Sequence, residues 1–263
     1  YRVDNLFTVP TIVKMLTESD AVDRYDHSSL QHLIYAGAPM YRADQRHALN
    51  KLGKVLVQYY GLGEVTGNIT VLPADCHESE DSPDAKVGSC GYPRTGMQVA
   101  ILDEAGNELD TGIDGEICVR GPAVFSGYYN NPKANESCFK FGWFHTGDLG
   151  HLDEQGYLFI TGRASDMYIS GGSNVYPREI EEALLSHPAV TEAAVLGMPD
   201  IKWGESGYAV IVTTEKDAVK MTNRAKVPQA VRRALYYQPI NISFIEDSAT
   251  DFLQKLEEDV RGN

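Results

Sequence analysis

The sequence predicts a mixed α/β and α+β protein, and three changes of texture along the chain predict it. Residues 1–70 alternate strand-like and helix-like runs, which points to a parallel or mixed sheet. Residues 71–163 recur as short strands between glycine-rich turns, an antiparallel, barrel-like texture. Strand and helix alternate again after Arg163, so the best boundary lies at residues 163–166.

Each element has a local reason. Residues 10–16 read as a helix start, with Pro10 in the first turn, where its missing N–H costs nothing. Residues 30–35 are a short apolar run stopped by the turn Ala36-Gly37-Ala38-Pro39. Residues 42–52 look helical and end at Gly53. Residues 55–60 are rich in β formers and end at Gly61. Residues 98–102 and 115–120 flank a turn-rich segment and predict a hairpin, and residues 157–161 predict a further strand. Pro177 opens a helix with Glu179, Glu181 and Glu182 in its early turns, where the dipole favours carboxylates, and with an apolar stripe of Ile180, Ala183 and Leu184. His187-Pro188 stops it. Residues 192–196 and 208–213 predict strands.

Composition narrows the function. The chain has 263 residues, 43% hydrophobic and 23% charged, enough to bury a sizeable core. A net charge of −14 argues against a nucleic-acid partner, which requires a basic face. It does not exclude a small anionic ligand, because backbone N–H groups bind phosphate. Cys76, Cys90, Cys118 and Cys138 are widely spaced with no C-x-x-C pair, which reads as reduced thiols in a cytoplasmic protein. No run of about 18 apolar residues is present, so no transmembrane segment is expected. The chain starts at Tyr1 inside a patterned segment, which reads as a fragment.

Four patterns stand in order: Tyr35-Ala36-Gly37-Ala38-Pro39; Gln58-Tyr59-Tyr60-Gly61-Leu62-Gly63-Glu64; Trp143-Phe144-His145-Thr146-Gly147-Asp148; and Gly162-Arg163-Ala164-Ser165-Asp166 followed by Ser170-Gly171-Gly172-Ser173-Asn174-Val175-Tyr176-Pro177-Arg178-Glu179-Ile180-Glu181. A strand ending in Tyr60-Gly61 can set an aromatic face beside a close backbone approach. Glu64 offers oxygen to a hard cation such as Mg2+. Asp148, in a Thr-Gly-Asp loop, can accept hydrogen bonds from two sugar hydroxyls, and Arg163 can bind the same sugar or a phosphate. Gly171 and Gly172 let backbone approach a ligand. Singly, each has an ordinary structural reading: a half-buried strand aromatic, a solvated carboxylate, a turn cap, a plain turn. His145 reads as structural, since no serine or cysteine partner is placed by a motif.

Together, these patterns resemble the adenylate-forming superfamily of AMP-forming acyl-CoA synthetases, luciferases and peptide-synthetase adenylation domains, over residues 1 to about 211. The resemblance implies the C-terminal part of a large domain in residues 1–163, an α/β piece at 1–70 plus a distorted antiparallel β-barrel at 71–163. A small α/β lid would follow at 164–263. It implies an acid–thiol ligase using ATP, Mg2+ and coenzyme A on a carboxylic acid, with the rest of the enzyme's N-terminal segment as partner. Gly37, Ala38, Tyr60 and Gly61 would form the adenine slot. Glu64 would hold Mg2+, Asp148 the ribose hydroxyls with help from Arg163, and Gly171 and Gly172 would pass near the pantetheine. Ser165 would be the lid hinge. The acid's carboxylate would attack the α-phosphate of ATP, and the thiol would then attack the acyl-adenylate.

The sequence departs from the family in three ways. The phosphate loop is absent. Gly63 stands where the family has Thr or Ser, with Thr66 a possible substitute, and Ser165 stands at a hinge usually Lys or Asp. The end carries only Lys255 near the place of the family's catalytic lysine. Residues 212–263 instead resemble the end of a lipid A 4'-kinase, a foreign tail, against the opposing reading of a diverged synthetase end. A non-catalytic fragment, a luciferase-like enzyme and a carrier-protein loader are the alternative functions.

Overall fold

Helical crossovers build the first sheet. The computed structural model describes residues 2–80, 85–187, 190 and 192–212, all within the first of two units, Tyr1–Thr213. After β1 (Asn5–Thr8) come α1 (Pro10–Glu18) and α2 (Ala21–Arg24), then β2 (His32–Tyr35), α3 (Arg42–Leu52) and β3 (Leu56–Tyr60). These three strands are parallel, as long helical connections demand. β4 (Thr70–Leu72) and β5 (Tyr92–Pro93) continue the sheet antiparallel, in the order β1-β2-β3-β4-β5. α3 stops where expected: Gly53 takes a left-handed φ of 76° and donates its N–H to Leu49. Val13, Leu33, Tyr35, Ala48, Leu49 and Leu56 form the core beneath these helices.

The second sheet is antiparallel throughout. β6 (Gln98–Leu102) and β7 (Gly115–Arg120) pair as the expected hairpin. α4 (Pro132–Cys138), β8 (Phe139–Lys140), β9 (Trp143–Leu152) and β10 (Leu158–Arg163) follow, and the strand order is β10-β9-β7-β6 with β8 on β9. A shared core of Tyr60, Ile69, Ile117, Phe144 and Leu158 joins the first two sheets. Backbone bonds join them as well: Cys90 N–H donates to the Leu158 carbonyl at 2.9 Å and Leu158 N–H to the Gly91 carbonyl at 2.8 Å.

A third sheet contains β11 (Tyr168–Ser170), β12 (Ser173–Val175), β13 (Glu192–Asp200) and β14 (Gly204–Val212), in the order β12-β11-β14-β13, with α5 (Pro177–Leu185) between β12 and β13. The chain thus adopts the expected mixed architecture, an α/β piece followed by antiparallel sheets. Two expectations change. The Thr-Gly-Asp segment is not a loop but part of β9: His145 and Leu149 on either side of it pair with β7, and Asp148 pairs with Arg163 of β10. β13 runs past Leu196 to Asp200, since β14 begins early, at Gly204, and pairs with its whole length.

No described helix is long and apolar enough to cross a membrane, and all four cysteines are free. β1 lies at the edge of its sheet, and Phe7, Ile12 and Met15 on β1 and α1 are exposed. The expectations for residues 213–263, Lys255 and the foreign tail among them, lie outside the described residues.

Candidate functional site

The ends of β2, β3, β9 and β10 face α5 and the third sheet across a cleft of about 730 Å3. Gly37, Ala38, Tyr60, Gly61, Asp148, Arg163 and Ser165 all line it. Gly37 turns the chain after β2 with φ of 85°. Gly61 leaves no room for a side chain, since a Cβ would meet the Gly67 carbonyl oxygen at 2.6 Å.

Asp148 is the electrostatic centre of this cleft. It is 4% exposed. Its Oδ2 accepts a hydrogen bond from the Tyr60 hydroxyl at 2.7 Å, and Arg163 Nε lies 3.0 Å from its Oδ1. Burial raises its pKa from the ordinary carboxylate value, against the Tyr60 hydroxyl, Arg163 and Arg178, which pull it down. The Tyr60 phenol is raised too, by burial first and by the Asp148 charge second. Arg163, at the end of β10, sits directly across from Asp148 in the strand register, and its side chain is 58% exposed.

A bulge aims Asp148 inward. Cys118 pairs with His145 and Glu116 with Leu149, so the single residue Ile117 of β7 faces Thr146, Gly147 and Asp148 of β9. Gly147 takes a φ of 75°, which favours glycine. The Thr146 hydroxyl donates to the Ile117 carbonyl, and Asp148 N–H donates back to Thr146 Oγ1 at 3.1 Å.

Other groups named from the sequence lie elsewhere. Glu64 sits on a short 3-10 turn and does not line the cleft; the Tyr128 hydroxyl donates to its Oε1 at 2.8 Å. That carboxylate is the main cause of the Tyr128 phenol being pushed up to about 12. Among the described residues no other donor reaches the Glu64 carboxylate. A single hard oxygen donor suits Mg2+, which takes one or two carboxylates and completes its shell from phosphates and water. Thr66 spends its hydroxyl on the Ala123 carbonyl. Gly171 and Gly172 form the exposed tip between β11 and β12, outside the cleft lining, with Gly171 against the Trp203 ring.

Sequence reasoning missed three contributors. Gln58 lines the cleft and is held by the buried Tyr35 hydroxyl at 3.0 Å, which also meets His77 Nε2 at 3.1 Å. His77 Nδ1 faces the Pro73 carbonyl, so it carries the proton, and Nε2 and Gln58 Oε1 compete for the single Tyr35 hydroxyl proton. Burial pulls His77 down to about 4. Arg178, at the start of α5, enters the cleft and donates to the Ile160 carbonyl at 3.3 Å. Glu116 touches His145 and Gly147. A proline-led helix start could have flagged Arg178; the other two depend on partners distant in sequence. The Glu116, Cys118 and His145 donor atoms lie within 4.8 Å of one another. Burial, with Glu116 second, pushes the Cys118 thiol up to about 12, and a thiol that keeps its proton is a poor metal ligand.

Comparison with known proteins points the same way. A family model described as AMP-binding enzyme matches residues 1–129, and one described as AMP-binding enzyme C-terminal domain matches residues 179–248. The chain is 38% identical over 211 residues to a medium/long-chain-fatty-acid–CoA ligase of Mycobacterium tuberculosis, covering 80% of this chain and 36% of that protein. It is 36% identical over 256 residues to a 2-succinylbenzoate–CoA ligase of Bacillus mycoides, covering 94% and 50%. Among solved structures, the o-succinylbenzoate CoA synthetase of Bacillus subtilis in complex with its acyl-adenylate intermediate matches with a TM-score of 0.71 at 33% identity, over 86% of this chain and 46% of that one. The chain spans half or less of the length of these relatives.

Proposed function

This chain belongs to the adenylate-forming superfamily of AMP-binding enzymes, and we propose that it is the nucleotide-binding, C-terminal portion of an AMP-forming carboxylic acid–CoA ligase. The observation that carries this reading is the convergence of Tyr60, Asp148 and Arg163 on one cleft. Its volume is in the range that holds small-molecule ligands.

The geometry supports a role for each residue in this reading. Tyr60, with Gly37, Ala38 and Gly61, frames the adenine slot. Asp148 has its two oxygens already oriented by Tyr60 and Arg163, and each keeps a lone pair for a ribose hydroxyl. Arg163 is exposed enough to turn toward phosphate. Glu64 would hold Mg2+, which neutralises phosphate charge when bound. The acid's carboxylate attacks the α-phosphorus of ATP and pyrophosphate leaves; the thiol of coenzyme A then attacks the acyl carbon and AMP leaves. Positioning and charge neutralisation carry both steps, with no covalent enzyme nucleophile.

The division into a large domain ending near Arg163 and a small lid from residue 164 is supported by β10 ending at Arg163 and by β11 opening a different sheet at Tyr168. Ser165 is the hinge in this reading, and Gly171 and Gly172 meet the pantetheine of coenzyme A. An upstream segment carrying the phosphate loop is the proposed cover for the exposed face of β1 and α1, and a cytoplasmic setting suits four free thiols. For residues 212–263, the family match through residue 248 favours a diverged synthetase end over a lipid A kinase tail.

Titration of AMP against intrinsic fluorescence tests the site: saturable binding by the wild type and markedly weaker binding by Asp148→Ala are expected, and equal affinity discards the ribose assignment. Pyrophosphate release from ATP with a panel of carboxylic acids tests turnover. This chain alone is expected to give none above background.

A further inference from the structure

We propose that Glu116 is a positioning residue for Asp148, one carboxylate bracing the bulge of β9 that aims Asp148 into the cleft. The proposal rests on the nucleotide reading above. Glu116 Oε2 lies 2.7 Å from His145 Nδ1, and Gly147 N–H donates to its Oε1 at 3.2 Å. A carboxylate only accepts, so Nδ1 carries the proton. His145 precedes the three bulged residues and Gly147 is the middle one. One side chain from β7 thus ties the start of the bulge to its centre.

The need for such a tie is physical. A bulge leaves backbone groups without ladder partners, and an unpaired buried N–H costs free energy. Gly147 N–H lies opposite Ile117, whose carbonyl is taken by the Thr146 hydroxyl. Glu116 supplies the acceptor that the ladder does not. Glycine at φ of 75° has wide conformational freedom, so without the brace the next residue, Asp148, would sample several directions. On the other side the Gly147 carbonyl accepts Ala164 N–H at 2.9 Å, which links the bulge to the segment following Arg163. Cys118 Sγ lies 3.4 Å from His145 Nδ1 and is a neighbour of this pair rather than part of the brace.

AMP affinity measured for the wild type, Glu116→Ala, Asp148→Ala and the double variant closes a double-mutant cycle. Glu116→Ala should weaken AMP about tenfold, the scale of one hydrogen bond to a charged group. The double variant should bind no more weakly than Asp148→Ala alone. Additive losses overturn the proposal, because they mean Glu116 acts by a route other than Asp148. Glu116→Gln keeps an acceptor for Gly147 N–H and should recover most of the affinity. Hydrogen exchange of the Gly147 amide is a second readout that needs no nucleotide. It should be at least about tenfold faster in Glu116→Ala, since the lost hydrogen bond is the one that protects it; unchanged exchange overturns the brace. If Glu116→Ala does not fold, Glu116→Asp, too short to reach both donors, takes its place. A wild type that fails to bind AMP refutes the nucleotide reading instead, and the exchange result still decides the brace.

Discussion

The two sides of the cleft are built on opposite principles. On the side of the first two sheets, Asp148 and Tyr60 are buried and already bonded to one another, and Gln58 is held by a buried network. From the end of β10 onward the ties thin out: Arg163 is mostly exposed, the Ser165 hydroxyl bonds its neighbour Asp166, and the Gly171-Gly172 tip stands in solvent. One wall is preorganised, so it pays little to bind. The other has few local ties, as an element that must rearrange requires.

The largest expected contrast is with pH. His77 has its folded value pulled down from 6.5 to about 4 by burial. The unfolded chain therefore binds more protons between those values. The stabilisation is complete above about pH 6.5 and is lost as pH falls toward about 4, by about 3 kcal/mol. Urea unfolding at pH 7 and pH 4.5 should reveal most of this loss, and His77→Asn should flatten it. A wild type equally stable at both values would break the picture of a buried network holding the first wall. Next, Asp148→Ala should weaken AMP about a hundredfold, since two hydrogen bonds to a charged group are lost.

A matched pair sharpens the comparison. Gly147 and Gly172 have φ of 75° and 87°, and a Cβ on either meets nothing within 4 Å. Gly147→Ala and Gly172→Ala should each cost about 1 kcal/mol in thermal or urea unfolding, from the backbone alone. Only Gly147→Ala should also weaken AMP, because only there does the turn aim a ligand-binding carboxylate. Smallest is Arg163→Ala. Its side chain is 58% exposed and the Tyr60 hydroxyl still holds Asp148 when it is gone, so AMP affinity measured by fluorescence should fall about threefold. A loss as large as that of Asp148→Ala would make both walls equally preorganised.

Much of this was legible in the sequence for local reasons. α3 spans residues 42–52 as expected because Gly53 punctuates it, and the pairing of β6 with β7 follows from alternation around a turn-rich segment. The cleft residues Gly37, Tyr60, Asp148 and Arg163 stood out through the order of four patterns that together resemble one family, since each alone has an ordinary structural reading. What stayed hidden depends on partners across the sheet. The bulge in β9 exists only against β7, and Thr-Gly-Asp reads as a turn by itself. Glu116 carries no motif of its own, because its partners lie 29 and 31 positions away. His77 gave no motif at all; its role comes from Tyr35, 42 positions before it.

The open side of β1 has a consequence for how these 263 residues behave in bulk. A strand with a free ladder edge, beside exposed Phe7, Ile12 and Met15, is adhesive at short range. A net charge of −14 repels at longer range. Added salt shortens that repulsion to about 10 Å at 0.1 M and leaves the adhesion intact. Colloidal stability should therefore fall with ionic strength, and light scattering across a salt series would register it as growing particle size.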